Sequence, residues 1–188
     1  MAATYGYLFG MGALEQAADP DARRYEIQRE AARHFAELKA AELVKYRLMP
    51  PEAAICSLRA IDDAAIAAAA SWEFQWRRIM GQTRPFFRRF EAALWCNGNL
   101  YGLVVGRASR GPDNVTVHYL ERAANDNPFA GFFAQIAVDA ADNYAKLIGR
   151  QRVKLKNPVA GVIPTYQAMN FSIAETIKGN IYYARQVM

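Results

Sequence analysis

His118 and Glu121 are the residues most able to do acid–base chemistry. An imidazole and a carboxylate sit close together on one β-rich stretch, residues 115–122, and either can take a proton as a general base. Strand side chains alternate, so the two point to opposite faces and only one of them faces a given cleft. Each also has a structural use, His118 as a satisfied sheet histidine and Glu121 as the surface partner of Arg122. Next comes a turn, residues 125–131, which contains Gly131, and then helical spacing over residues 132–149. Residues 152–156 alternate as a short strand, and residues 157–171 close with a helix that contains Tyr166. This order sets the start of a helix beside the end of a strand. Four backbone N–H groups at a helix start lack helical partners, which suits the junction to phosphate. The segment therefore predicts a domain that holds a phosphorylated cofactor.

Composition narrows the class. The chain has 188 residues, a 53% hydrophobic share, and 10 Phe, 10 Tyr and 3 Trp, ample for a packed core. Its longest alanine-rich run, residues 64–70, is too short and too weakly apolar to span a bilayer. No early basic residue precedes the apolar N-terminal stretch, so a secretory signal is not expected. Two cysteines, Cys56 and Cys96, are too few for a disulfide framework or a zinc site and read as buried thiols in a reducing cytoplasm. The net charge of +5 is concentrated in two places. One is a basic, aromatic cluster from Arg77 to Phe90; the other is Arg150, Arg152, Lys154 and Lys156.

The elements follow from caps and turns. Residues 1–18 read as an apolar arm. Asp19-Pro20 starts a helix that runs to about Arg47, with Ala31, Phe35, Leu38 and Tyr46 as its apolar stripe, and Pro50-Pro51 stops it. Residues 53–60 read as a strand. Asp62 or Asp63 caps a helix to about Met80, ended by Gly81. Residues 87–96 and 100–109 are strands joined by Asn97-Gly98, whose residues accept the positive φ of a type I′ turn. With residues 115–122 they form an antiparallel meander, and the strand after the long helix sits parallel to its predecessor.

Strand, helix, three antiparallel strands, helix, strand, helix, terminal strand: this order resembles the GNAT superfamily of N-acyltransferases. The local match lies in Arg152-Val-Lys-Leu-Lys-Asn157-Pro-Val-Ala160 followed by Tyr166-Gln-Ala-Met-Asn170-Phe171. It is similar to the family's strand, its Asn-containing exit and its closing Tyr-x-x-x-Gly-Phe helix. Asn170 replaces the Gly and suits a left-handed C-cap. Leu100-Tyr-Gly-Leu-Val-Val-Gly-Arg107 resembles the family's Gly-containing hydrophobic strand. The resemblance implies an α/β fold with a mixed, mostly antiparallel sheet and helices on both faces. It covers residues 53–188, with residues 1–50 as a helical N-terminal extension.

It further implies an N-acetyltransferase or other acyltransferase that uses acetyl-coenzyme A or another acyl-coenzyme A. Tyr166 takes the position of the acid, and Glu121 or His118 that of the base. The backbone of Phe129, Ala130, Gly131, Phe132, Phe133 and Ala134 takes the position of the pyrophosphate cradle, and Asn157 that of a contact to a cofactor arm. The loop departs from the family's Arg/Gln-x-x-Gly-x-Gly/Ala pattern by carrying phenylalanine where a small residue is usual. A second reading therefore has Phe129, Phe132 and Phe133 filling the cleft of a non-catalytic, protein-binding module. A third has the Arg77 to Arg89 cluster binding or modifying nucleic acid. The expected partners are an amine-bearing acceptor (small molecule, protein or tRNA), a protein partner for the N-terminal helix, and a second copy in a homodimer. The expected location is cytoplasmic, with no membrane.

Overall fold

The computed structural model describes residues 19–124 and 126–188, so the N-terminal arm of residues 1–18 lies outside the described residues. The first helix, α1 (Pro20–Lys45), begins where Asp19 accepts a hydrogen bond from the Asp21 N–H at 3.0 Å. A 3-10 turn (Pro51–Ala54) and a three-residue strand β1 (Ser57–Arg59) occupy the segment expected to be one strand over residues 53–60. Two short helices follow, α2 (Asp63–Ala68) and α3 (Trp76–Thr83). The meander is β2 (Arg89–Cys96), β3 (Asn99–Ala108) and β4 (Asn114–Arg122). The long helix α4 (Phe133–Leu147) leads to β5 (Arg152–Lys156), and a short helix α5 (Ile163–Ala168) leads to a hairpin of β6 (Ser172–Ile177) and β7 (Asn180–Gln186). One terminal strand was the expectation; the Lys178-Gly179 turn, both residues at positive φ, folds the segment into two.

Among the described residues, seven strands form one sheet in the order β1-β2-β3-β4-β5-β7-β6. Only β4 and β5 pair in parallel; the other neighbours are antiparallel. The Asn97-Gly98 turn has both residues at positive φ, as its composition predicts. One face of the sheet carries α1 and α4 over a core that includes Phe90, Leu94, Val104, Val153 and Tyr144. The other face carries α2 and α3, whose Ile66, Trp76 and Met80 pack on Ala93, Leu103 and Val105.

The apolar stripe expected on α1 faces outward: Phe35, Leu38 and Tyr46 are 49%, 54% and 66% exposed. The helix docks instead through Tyr25, Ala32, Ala36 and Ala40, beside the alanines of α4. Alanine lets two helix backbones approach closely, so the buried face carries the small residues. Arg29 lies under α1 and donates from Nη1 to the Phe87 carbonyl at 2.7 Å, while Lys39 meets Asp139 at 2.8 Å.

The expected helix over residues 62–80 is broken. Asp62 caps α2 through the Ala65 N–H at 2.8 Å, but residues 69–75 leave the helix, and α3 runs past Gly81 to Thr83. The break is held from a distant strand by Glu121, whose bonds are described with the site.

Gly102 on β3 faces the ring of Phe133 so closely that a Cβ there would stand 2.4 Å from two ring atoms. Phe133 is fully buried, so the ring has little room to yield. Gly102→Ala is predicted to destabilise the protein by about 1–3 kcal/mol through overpacking. Combining it with Phe133→Leu should cost less than the sum of the two single changes, as measured by denaturant unfolding.

Candidate active site

The site arises where β4 and β5 part. Their parallel pairing runs from Asn114↔Arg152 to Val117↔Leu155 and stops, although β4 continues to Arg122. At the same point β4 carries a bulge. Val105 pairs with Tyr119 and Gly106 with Val117, leaving His118 as the extra residue. Below the parting the strands are tied by charge. Asp113 bonds Arg152, Lys154 lies 3.2 Å from Asp113, and Lys154 lies 2.7 Å from Glu175. Burial works to raise the Asp113 carboxyl, but bonds from Arg152, Asn114 and Lys154 outweigh it and hold it at about 2. Arg152 and Lys154 therefore serve as internal ties rather than as a free basic patch.

Above the parting lies a cleft of about 910 Å³. His118, Glu121 and Tyr166 all line it, as do Gly131, Phe133, Ala134 and Asn157. The strict alternation expected for β4 put His118 and Glu121 on opposite faces. The bulge at His118 shifts the alternation, and both residues border the same cleft.

Their environments differ. Glu121 accepts hydrogen bonds from the Glu73 N–H at 2.6 Å, the Phe74 N–H at 3.2 Å and the Trp76 indole N–H at 2.7 Å. This carboxylate clamps the α2–α3 connector against the sheet, and Tyr119 adds an edge contact to Phe74 at 5.5 Å between ring centroids. Sequence reasoning missed this use of Glu121; the closely spaced Trp72, Phe74 and Trp76 beside it were the available signal. Burial, with the charges of Arg107 and Lys156, pushes the His118 ring down to about 4, so it is neutral at pH 7. Tyr166 is buried with its ring edge-on to Phe171 at 6.1 Å. Burial alone raises its hydroxyl, which stays protonated at neutral pH.

Asn157 is structural in its contacts. It sits at positive φ, accepts from the Ile181 N–H at 2.8 Å and donates to Asn180 at 2.9 Å, tying the exit of β5 to the final hairpin. Asn170 also takes positive φ, as expected of a C-cap.

The loop ahead of α4 is organised by Asn127. Its side chain accepts from the Phe129 N–H at 2.9 Å and donates to the carbonyls of Tyr101 at 3.0 Å and Ala123 at 3.2 Å. Phe129 is turned into the core against Tyr101, at 5.5 Å between ring centroids. Phe132 packs on the same core, and Phe133 lies on Gly102. Of these three rings only Phe133 borders the cleft, as a buried wall residue. The N–H groups of Phe129, Ala130, Phe132 and Phe133 are taken by acceptors within the turn. Among the described residues, no acceptor meets the N–H groups of Gly131, Ala134 and Gln135. Gly131 holds φ +85 with open space around it, a conformation that favours glycine. Thus Gly131 and Ala134, of the expected cradle, offer both the cleft position and a free donor. Gln135 extends the donor set beyond what sequence reasoning reached.

The basic, aromatic cluster from Arg77 to Phe90 is partly core. Trp76 beside it and Phe90 within it are buried, Arg84 pairs with Asp63 at 3.2 Å, and Arg89 pairs with Glu91 at 3.2 Å. Cys56 and Cys96 are free, and burial pushes the Cys56 thiol up to about 11. Among the described residues no group of acidic, His or Cys side chains is arranged to hold a metal ion, and no helix is long and apolar enough to cross a membrane.

A neutral His118 carries a pH signature. Its folded pKa, about 4, lies below the ordinary 6.5, so unfolded chains bind the proton first as pH falls. Stability from this residue is present in full above pH 6.5 and is lost between 6.5 and 4. His118→Gln is predicted to flatten that part of the stability–pH profile in urea unfolding. Separately, Glu121→Gln should destabilise by about 1–3 kcal/mol, because a buried indole and two backbone donors lose a charged acceptor. The Trp76 indole proton resonance should move with it.

No protein-family model and no curated protein sequence matches the chain. Solved structures do. The chain is similar to Ard1 from Thermoplasma volcanium, with 16% identity, TM-score 0.55, and coverage of 71% of this chain and 98% of that one. It is similar to the ribosomal-protein-S18-alanine N-acetyltransferase from Escherichia coli, with 14% identity, TM-score 0.55, and coverage of 71% and 94%. An aminoglycoside 6'-N-acetyltransferase complexed with coenzyme A matches at 10% identity and TM-score 0.55, with coverage of 70% and 97%. The fold is that of the GNAT N-acyltransferases.

Proposed function

We propose that this chain is an acyl-coenzyme A-dependent N-acyltransferase that acts on an amine acceptor. The observation that carries the reading is the coincidence, in one cleft, of three features. These are the parting of β4 from β5, the free N–H groups at the start of α4, and the protonated hydroxyl of Tyr166. Structural neighbours that are N-acetyltransferases, one of them complexed with coenzyme A, support it.

The chain's own residues fit such a ligand. Gly131, Ala134 and Gln135 present N–H donors where the dipole of α4 favours a diphosphate. The loop phenylalanines pack toward the core and leave that position open. Acyl-coenzyme A, when bound, supplies the activated thioester. Tyr166 holds a proton in the cleft, available to a leaving thiolate. His118, neutral at working pH, accepts a proton from the acceptor amine, directly or through water. Glu121 keeps the α2–α3 connector in place along the acceptor side, and its three bonds make it a positioning residue. We assign the base role to His118 over Glu121 on that ground.

Acetyl-coenzyme A titrated calorimetrically should bind the natural protein. Ala134→Glu keeps the fold, since an acid in the first turn suits the helix dipole, but repels the diphosphate and should weaken binding at least tenfold. Tyr166→Phe should bind normally and lower turnover with a reactive amine by roughly 100-fold or more. No binding to the natural protein at millimolar ligand would overturn the proposal.

A further inference from the structure

We infer that the cavity framed by Arg88, Arg107 and Arg110 at the other end of β3 and β4 is a second ligand site, and that it takes a small phosphate-bearing molecule. The site follows from strand register. Arg89 pairs with Arg107, so the entry to β2 and the exit of β3 lie side by side and bring residues 85–88 against residues 107–110. Together they enclose about 500 Å³, within the range of small-molecule sites. It shares no lining residue with the cleft at the α4 end.

Charge identifies the ligand class. Among the described residues, three guanidinium groups line this cavity and no carboxylate does. Several arginines elsewhere are paired, Arg84 with Asp63, Arg89 with Glu91, Arg152 with Asp113 and Arg185 with Asp142, while others, such as Arg59 and Arg122, stand singly at the surface with no ion pair among the described residues. Arg88, Arg107 and Arg110 have no ion-pair partner among the described residues. Unpaired like charges around a shared cavity repel one another, and a bound anion relieves the repulsion.

Two of the three groups are also held. Arg88 donates to the Arg110 carbonyl at 3.3 Å and lies over the rings of Tyr25 and Phe87, with its Nε buried and unpartnered. Arg107 lies over the Phe86 ring at 4.3 Å. Planar guanidinium forks fixed in this way suit the several oxygens and double charge of a phosphate group. Phe86, 47% exposed, offers an apolar flank to a ring attached to that phosphate. Inorganic phosphates and nucleoside monophosphates share this chemistry.

The test is an amide chemical-shift titration of the full chain with inorganic pyrophosphate in one arm and adenosine monophosphate in the other. The expected result is saturable shifts at Arg88 and residues 107–110. Arg107→Gln and Arg110→Gln, both at exposed positions, should each weaken binding about tenfold or more. Tighter binding of the nucleotide would identify a nucleoside phosphate as the ligand, and equal binding an inorganic one; both support the site. Shifts confined to residues 131–135, or binding unchanged in both variants, would overturn it. Because the two sites are read at different amides, failure here and failure of the coenzyme A proposal are distinguishable.

Discussion

The cleft depends on one interruption in hydrogen bonding, the point at which β4 and β5 cease to pair. Up to Val117 and Leu155 the two strands form an ordinary parallel ladder. Beyond it they diverge, and the space between them becomes the cleft. Two features fix that point. The Asp113–Arg152 and Asp113–Lys154 pairs tie the closed end. The extra residue His118 bends β4 at the open end. Opened strands leave backbone groups without sheet partners, and α4 adds more where its helix begins. The site is therefore rich in backbone donors for the same reason that it is open.

The side chains around the opening divide the work by environment. Glu121 is saturated by three donors and acts as an anchor. His118 is stripped of its charge by burial and two cationic neighbours. Tyr166 keeps its proton because burial disfavours the phenolate. A proton acceptor and a proton donor in one cleft, both uncharged at neutral pH, suit a transfer between neutral partners. Asn127 belongs to the same design from outside the cleft, by turning Phe129 inward and leaving the Gly131 N–H free.

Local features were legible in the sequence. Asp19 caps α1, Asn97-Gly98 turns the hairpin, Asn170 takes the left-handed position and β5 has the expected bounds. Features set by distant partners were not. The bulge at His118 depends on the register with β3, which no pattern within residues 115–122 encodes. The break between α2 and α3 depends on Glu121, 47 residues beyond Phe74. The buried face of α1 is not legible from its large apolar residues, because the contact with α4 uses alanines. Within the proposed cradle, only the turn geometry separates Gly131 and Ala134 from neighbours whose N–H groups are already bonded.

We propose that backbone N–H groups at the start of α4 receive the diphosphate of coenzyme A. Amide hydrogen exchange, read residue by residue with and without saturating coenzyme A, tests it most directly. Slowed exchange is expected at Gly131, Ala134 and Gln135, with little change at the already bonded Ala130 and Phe132. Saturated binding with unchanged exchange at those three amides would contradict it.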